Sequence, residues 1–90
     1  MRWPEQMGDA WCIYILLCAD GSLYTGVARD LQRRLMQHNG VYAGGPKYTR
    51  GRRPVQLLWS DTAADRSTAQ RREAAIKKLS RDEKLQLTRV

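Results

Sequence analysis

The sequence predicts an α+β fold: a three-stranded β-sheet flanked by helices, with the order β-β-α-β-α-α along the chain. Three observations carry that prediction. The apolar run Cys12 to Cys18 is rich in β-branched and aromatic residues, as a central strand buried on both faces should be. A turn signal, Ala19-Asp20-Gly21, follows at once, and Leu23 to Val27 then reads as the partner strand. Two later segments carry apolar residues at helical spacing behind good N-caps. With 90 residues there is room for one domain and one modest core, and 42% apolar residues suffice to fill it.

Residues 1–10 read as a flexible N-terminal tail, leaving residues 11–90 as the domain. The tail holds Arg2, Pro4, Glu5 and Asp9 but no apolar stretch, so it is no signal peptide, and a cytoplasmic location is expected. The longest apolar run, Trp11 to Ala19, is far too short to cross a bilayer, so no membrane partner is expected. Cys12 and Cys18 would lie roughly 20 Å apart along one strand, beyond disulfide reach, and read as small core hydrophobes.

The hairpin allows two registers. A two-residue loop at Asp20-Gly21 would pair Leu17 with Tyr24 and leave Tyr14 and Tyr24 on opposite faces. A three-residue loop would end with Gly21 left-handed as a G1 bulge. Leu16 then faces Tyr24, Tyr14 faces Gly26, and the two tyrosines share a face with open space over Gly26. The Asp-Gly placement favours this second register.

Asp30 is the N-cap of the first helix, Leu31 and Leu35 mark its core side, and Gly40 ends it just past Asn39. Arg34 and His38 flank the apolar stripe and project near the sheet. Arg34 has the planar fork that binds phosphate, and His38 is a candidate donor or proton shuttle. Residues 40–53 form a Gly-rich basic loop. Within it Lys47, Tyr48, Arg50, Arg52 and Arg53 interleave cations with one aromatic, a pattern suited to phosphate contacts and base stacking. After Pro54, Val55 to Trp59 is the third strand. Ser67-Thr68-Ala69-Gln70 has the capping-box pattern, and a helix should run from there to about Leu79. Ser80-Arg81-Asp82-Glu83 repeats the pattern before a short last helix. Ala69, Ile76 and Leu79 mark the buried side of the long helix, and Glu73 falls within that stripe. A carboxylate there needs a cationic partner (Arg71, Arg72 and Lys77 are close in sequence), a metal or water. Asp65, Asp82 and Glu83 read as loop and cap residues.

Sixteen Lys and Arg against nine Asp and Glu give a net charge of +7, which favours a polyanionic partner. No phosphate-binding loop, dinucleotide fingerprint, zinc spacing or Ser-His-Asp arrangement is present.

Taken together these residues resemble the GIY-YIG endonuclease superfamily, and in particular its small stand-alone bacterial proteins. The first signature stands as Cys12-Ile13-Tyr14 and the second as Tyr24-Thr25-Gly26. Arg34, His38 and Glu73 follow at family-like positions, and Lys47-Tyr48-Thr49-Arg50 and the segment 72–81 add to the likeness. Cys12 replaces the first signature glycine, Thr25 the central isoleucine, and Leu85 stands where many members carry an asparagine. The resemblance implies a metal-dependent endonuclease with Tyr14, Tyr24, Arg34, His38 and Glu73 as catalytic residues. Glu73 would hold one Mg²⁺ or Mn²⁺, and Tyr14 or Tyr24 would position or deprotonate the attacking water. Arg34 would stabilise the charged transition state. His38 would orient the water or a tyrosine. The substrate would be nucleic acid, DNA ahead of RNA, cut with structure selectivity or weak sequence specificity, as in DNA repair, with a protein partner for targeting. Two other readings are a non-catalytic nucleic-acid-binding module on the same fold and a protein-interaction domain.

Overall fold

The computed structural model describes residues 10–89, so the tail expected at residues 1–10 lies almost wholly outside the described residues. Strands β1 (Trp11–Leu17), β2 (Leu23–Ala28) and β3 (Gln56–Ala63) form one antiparallel sheet in the order β2-β1-β3. Helices α1 (Leu31–His38), α3 (Arg66–Lys77) and α4 (Arg81–Leu87) match the three expected from the sequence. A further short helix, α2 (Lys47–Arg50), interrupts the Gly-rich loop.

The central place of β1 explains its uninterrupted apolar run, because both of its faces are covered. On one face Tyr14, Leu16 and Cys18 pack with Ala28, Leu31 of α1 and Val55. On the other, Ile13 and Ile15 pack with Ala63 and with Ala69 and Ile76 of α3. The domain is thus three layers, α1 over one face of the sheet and α3 over the other. Full burial of side chains such as Ile13 and Ile15 contributes about 1.5–3 kcal/mol each. Both cysteines are free.

The hairpin adopts the three-residue loop. Cys18 N–H donates to the Ser22 carbonyl and Gly21 N–H to the Cys18 carbonyl, both at 2.9 Å. Gly21 has φ +85, the left-handed conformation that a residue with a Cβ resists. Leu16 pairs with Tyr24 and Tyr14 with Gly26, so the tyrosines share the α1 face.

Strand ends shift by one residue at β1, β2 and the start of β3, and larger differences from the sequence-based expectation fall at the end of β3 and in α3. β3 runs four residues past Trp59. Its polar end, Ser60-Asp61-Thr62, is exposed edge strand whose backbone pairs with β1 while Asp61 binds Arg72 at 2.8 Å. Backbone pairing there does not require apolar side chains. The long helix starts at Arg66 and ends at Lys77, because Asp65, rather than Ser67, accepts the Thr68 N–H as N-cap. The Ser80–Glu83 capping box forms in full.

Candidate active site

Asp30 caps α1 by accepting the Arg33 N–H, and Leu31 is buried against the sheet, which turns the last residue of the helix inward. The C-terminal end of α1 is clamped from two directions. Arg53 donates from Nε to the His38 carbonyl at 2.7 Å. The Asn39 side chain both donates to the Val55 carbonyl and accepts the Val55 N–H. His38 is consequently 0% exposed.

The His38 ring bridges two hydroxyls. Nε2 lies 2.8 Å from Tyr14 Oη, and Nδ1 lies 3.0 Å from Thr49 Oγ1. The Thr49 hydroxyl donates to the Pro46 carbonyl at 3.2 Å. Burial, then the positive charges of Arg34 and Arg53, hold the His38 pKa down at about 4. Burial and neighbouring Tyr24 push the Tyr14 phenol up to about 12. The Arg34 guanidinium opposes this as a hydrogen-bond donor and as a charge, and the Glu73 carboxylate adds to the rise. At neutral pH the imidazole is therefore uncharged and the phenol keeps its proton.

Tyr14 is 1% exposed. Its hydroxyl curls over Gly26: a Cβ there would lie 2.5 Å from Oη and 2.7 Å from Cζ. The space expected to be open over Gly26 is thus filled by Tyr14 itself. Tyr24 is only partly buried and forms the accessible side of the cluster. Its ring centroid lies 4.9 Å from that of His38, 6.4 Å from Tyr14 and 5.6 Å from Tyr48. Arg34 donates to Gln37 Oε1 at 2.9 Å and to the Gly44 carbonyl at 3.1 Å, which aims its guanidinium from α1 toward the Gly-rich loop.

Glu73 comes from α3, across the sheet from α1. Its charge is felt at the Tyr14 phenol, while its carboxylate pairs with Lys77 at 3.3 Å, one turn on. With its side chain 22% exposed, it sits between core and solvent. Among the described residues no three His, Cys, Asp or Glu side chains converge as a ready-made metal cage. A lone, partly exposed carboxylate does fit Mg²⁺, which keeps several waters and takes further oxygens from a phosphate.

The basic loop divides. Arg53 is committed to α1. Arg52 lies over the Tyr48 ring, its Cζ 4.0 Å from the centroid, and pairs with Asp20 at 3.0 Å. Arg50 donates to the Gly45 carbonyl at 3.3 Å but stays exposed, as does Lys47. Tyr48 is 39% exposed beside Tyr24. Arg53 thus clamps the helix while staying exposed, and Lys47, Tyr48 and Arg50 face solvent as well. Two contributors escaped the sequence reading. Thr49 was part of a family-like run with no role of its own, and Gln37 was one polar residue among several on α1. The one available cue for Thr49 was a hydroxyl three residues after a proline, the spacing at which it can bond back to a carbonyl.

The GIY-YIG catalytic domain family model matches residues 10–86. The chain belongs to the GIY-YIG family. It is 52% identical to a UPF0213 protein of Desulfotalea psychrophila over 77 residues, covering 86% of this chain and 69% of that one. It is 48% identical to a UPF0213 protein of Staphylococcus saprophyticus over 79 residues, covering 88% and 94%. Among solved structures, the solution NMR structure of a UPF0213 protein from Bacillus halodurans matches with TM-score 0.55 at 41% identity, covering 87% of this chain and 81% of that one. A protein from E. faecalis, also solved by NMR, matches with TM-score 0.58 at 41% identity, covering 87% and 82%. This GIY-YIG chain is thus a small one, like the UPF0213 proteins. GIY-YIG domains are typically nucleases, and membership implies a nucleic-acid substrate. No helix among the described residues is long and apolar enough to cross a membrane.

Proposed function

We propose that this GIY-YIG domain is a metal-dependent endonuclease that hydrolyses phosphodiester bonds in DNA, with structure selectivity or weak sequence preference. The observation that carries the reading is the environment of the Tyr14 phenol. One hydroxyl is bonded to His38, contacts the Gly26 backbone, and feels both the Arg34 guanidinium and the Glu73 carboxylate. Four groups from three elements, α1, β2 and α3, act on this one hydroxyl of β1.

The roles divide by burial. Tyr24, the accessible phenol, orients the attacking water. Arg34, steadied by Gln37 and Gly44, binds a phosphate oxygen and offsets the charge that builds there in the transition state. Tyr14 and His38 lie beneath and hold the rings and Arg34 in place. His38 has no solvent-facing surface, so it acts through Tyr14 rather than on the water. Glu73 would hold the Mg²⁺ or Mn²⁺ ion, which supplies Lewis-acid polarisation of the phosphate. Lys77 would have to yield that carboxylate, a small cost for an exposed ion pair. Lys47, Arg50 and Arg52 contribute phosphate contacts, and Tyr48 offers a ring to an unpaired base. Arg53 supports the interface by fixing α1.

The test is nicking of branched, nicked, single-stranded and duplex DNA, and of RNA, with Mg²⁺ or Mn²⁺. Wild type should cleave at least one DNA substrate, and Glu73→Ala and Tyr24→Phe should each reduce cleavage by at least about a hundredfold. Cleavage that survives both changes, or no cleavage of any substrate, would refute the proposal. One observation favours a second reading, a binding module without catalysis: Leu85, half-buried on α4, supplies no polar group at the position where many members have an asparagine. That reading predicts salt-sensitive binding that Glu73→Ala leaves intact and that neutralising Lys47 and Arg50 weakens.

A further inference from the structure

We infer that Thr49 is a positioning residue that sets the direction of a buried hydrogen-bond chain and thereby fixes the orientation of the Tyr14 hydroxyl. The inference rests on the nuclease reading only for its kinetic consequence.

The chain can be followed donor by donor. A threonine hydroxyl has one hydrogen. Thr49 spends it on the Pro46 carbonyl, so its oxygen can only accept from His38. The proton of the neutral imidazole therefore sits on Nδ1, which leaves Nε2 as an acceptor. Tyr14 fills it with its own O–H at 2.8 Å. The lone pairs of Tyr14 Oη are then turned away from His38. Every bond points the same way, from Tyr14 through His38 and Thr49 to Pro46. Reversal would make Nε2 the donor and Tyr14 Oη the acceptor, turning the phenolic hydrogen away from His38.

The setting leaves no substitute for Thr49. Both Thr49 and His38 are 0% exposed, so water cannot replace the missing acceptor. The hydroxyl is placed by α2, whose first residue follows Pro46 and whose Thr49 N–H also donates to the Pro46 carbonyl. A single helical turn inside a glycine-rich loop thus fixes the tautomer of a histidine on another helix.

His38 is the sole histidine of the chain, so its ring nitrogens can be read in ¹⁵N-labelled protein without assignment. Wild type should show the Nδ1–H tautomer at neutral pH. Thr49→Ser, which keeps the hydroxyl, should show it too. Thr49→Val, which keeps the shape, should shift the ring toward Nε2–H. In the nicking assay Thr49→Val should lower kcat about tenfold with KM little changed, and Thr49→Ser should restore it. An Nε2–H tautomer in wild type, a retained Nδ1–H tautomer in Thr49→Val, or a changed tautomer with unchanged kcat would each overturn the inference. If wild type cleaves nothing, the nuclease reading fails, while the ¹⁵N spectra still decide the direction of the chain.

Discussion

Gly26→Ala is expected to destabilise the domain by about 1–3 kcal/mol and to separate Tyr14 from His38, the first for want of space and the second as its consequence. The new methyl would sit 2.5 Å from Tyr14 Oη, 2.7 Å from Cζ and 3.1 Å from Tyr24 Cε1. The phenol cannot swing aside, since it is buried and held by His38 Nε2. Either β2 moves or the Tyr14–His38 bond breaks, and both disturb the two tyrosines together. Gly51→Ala is the matched control. Its Cβ would meet nothing within 4 Å and its φ of −91 suits alanine, so it should be neutral or stabilise by up to about 1 kcal/mol. Urea unfolding of the two variants, alongside the His38 ring signals, checks the contrast. Equal stability of both would show that the close approach of Tyr14 to the β2 backbone is not there.

Acid is expected to weaken the fold well before its carboxylates protonate. Unfolded His38 would take a proton near pH 6.5, whereas the folded ring does so only near 4. Between those values the unfolded chain binds more protons, so stability falls as pH falls. The effect is present in full above pH 6.5 and is lost on descending through pH 4, amounting to about 2 kcal/mol between pH 7 and 5 and about 3 kcal/mol by pH 4. Asp20, Asp61, Asp65 and Glu83 have pKa values held below the ordinary range by their hydrogen bonds, so their share of the acid loss comes at lower pH. A series of urea midpoints from pH 7 to 5 measures the slope. His38→Gln should be less stable at pH 7 and should flatten that slope. A slope that is already flat in wild type would mean that the folded ring accepts its proton as easily as the unfolded one. The same protonation would put a hydrogen on Nε2, so acid should also reverse the Tyr14–His38 bond, with the phenol oxygen accepting.

The hairpin shows how far local chemistry reaches. Asp20-Gly21 could close two registers, and the chain adopts the one in which Gly21 alone is left-handed, which puts Tyr14 and Tyr24 on one face. Asp30 as N-cap, with Leu31 and Leu35 behind it, turned α1 so that His38 came inward. These are statements about spacing within one element or one turn, and period and turn chemistry encode them in adjacent residues. Membership of the GIY-YIG family was readable for the same reason, since its signatures are short and ordered along the chain.

What the sequence by itself determined, then, is the three-stranded sheet with its central first strand, the choice between two hairpin registers and the inward turn of His38. The tertiary structure alone decided that Tyr14 is enclosed while Tyr24 is reachable, that Arg53 clamps α1, and that Glu73 approaches from the helix on the other side of the sheet. It also decided that Thr49 meets His38. The physical reason is common to all four. Periodicity records which side of an element is apolar, but the partner of a buried polar atom is chosen by where separate elements come to rest, and no spacing in the chain records that position.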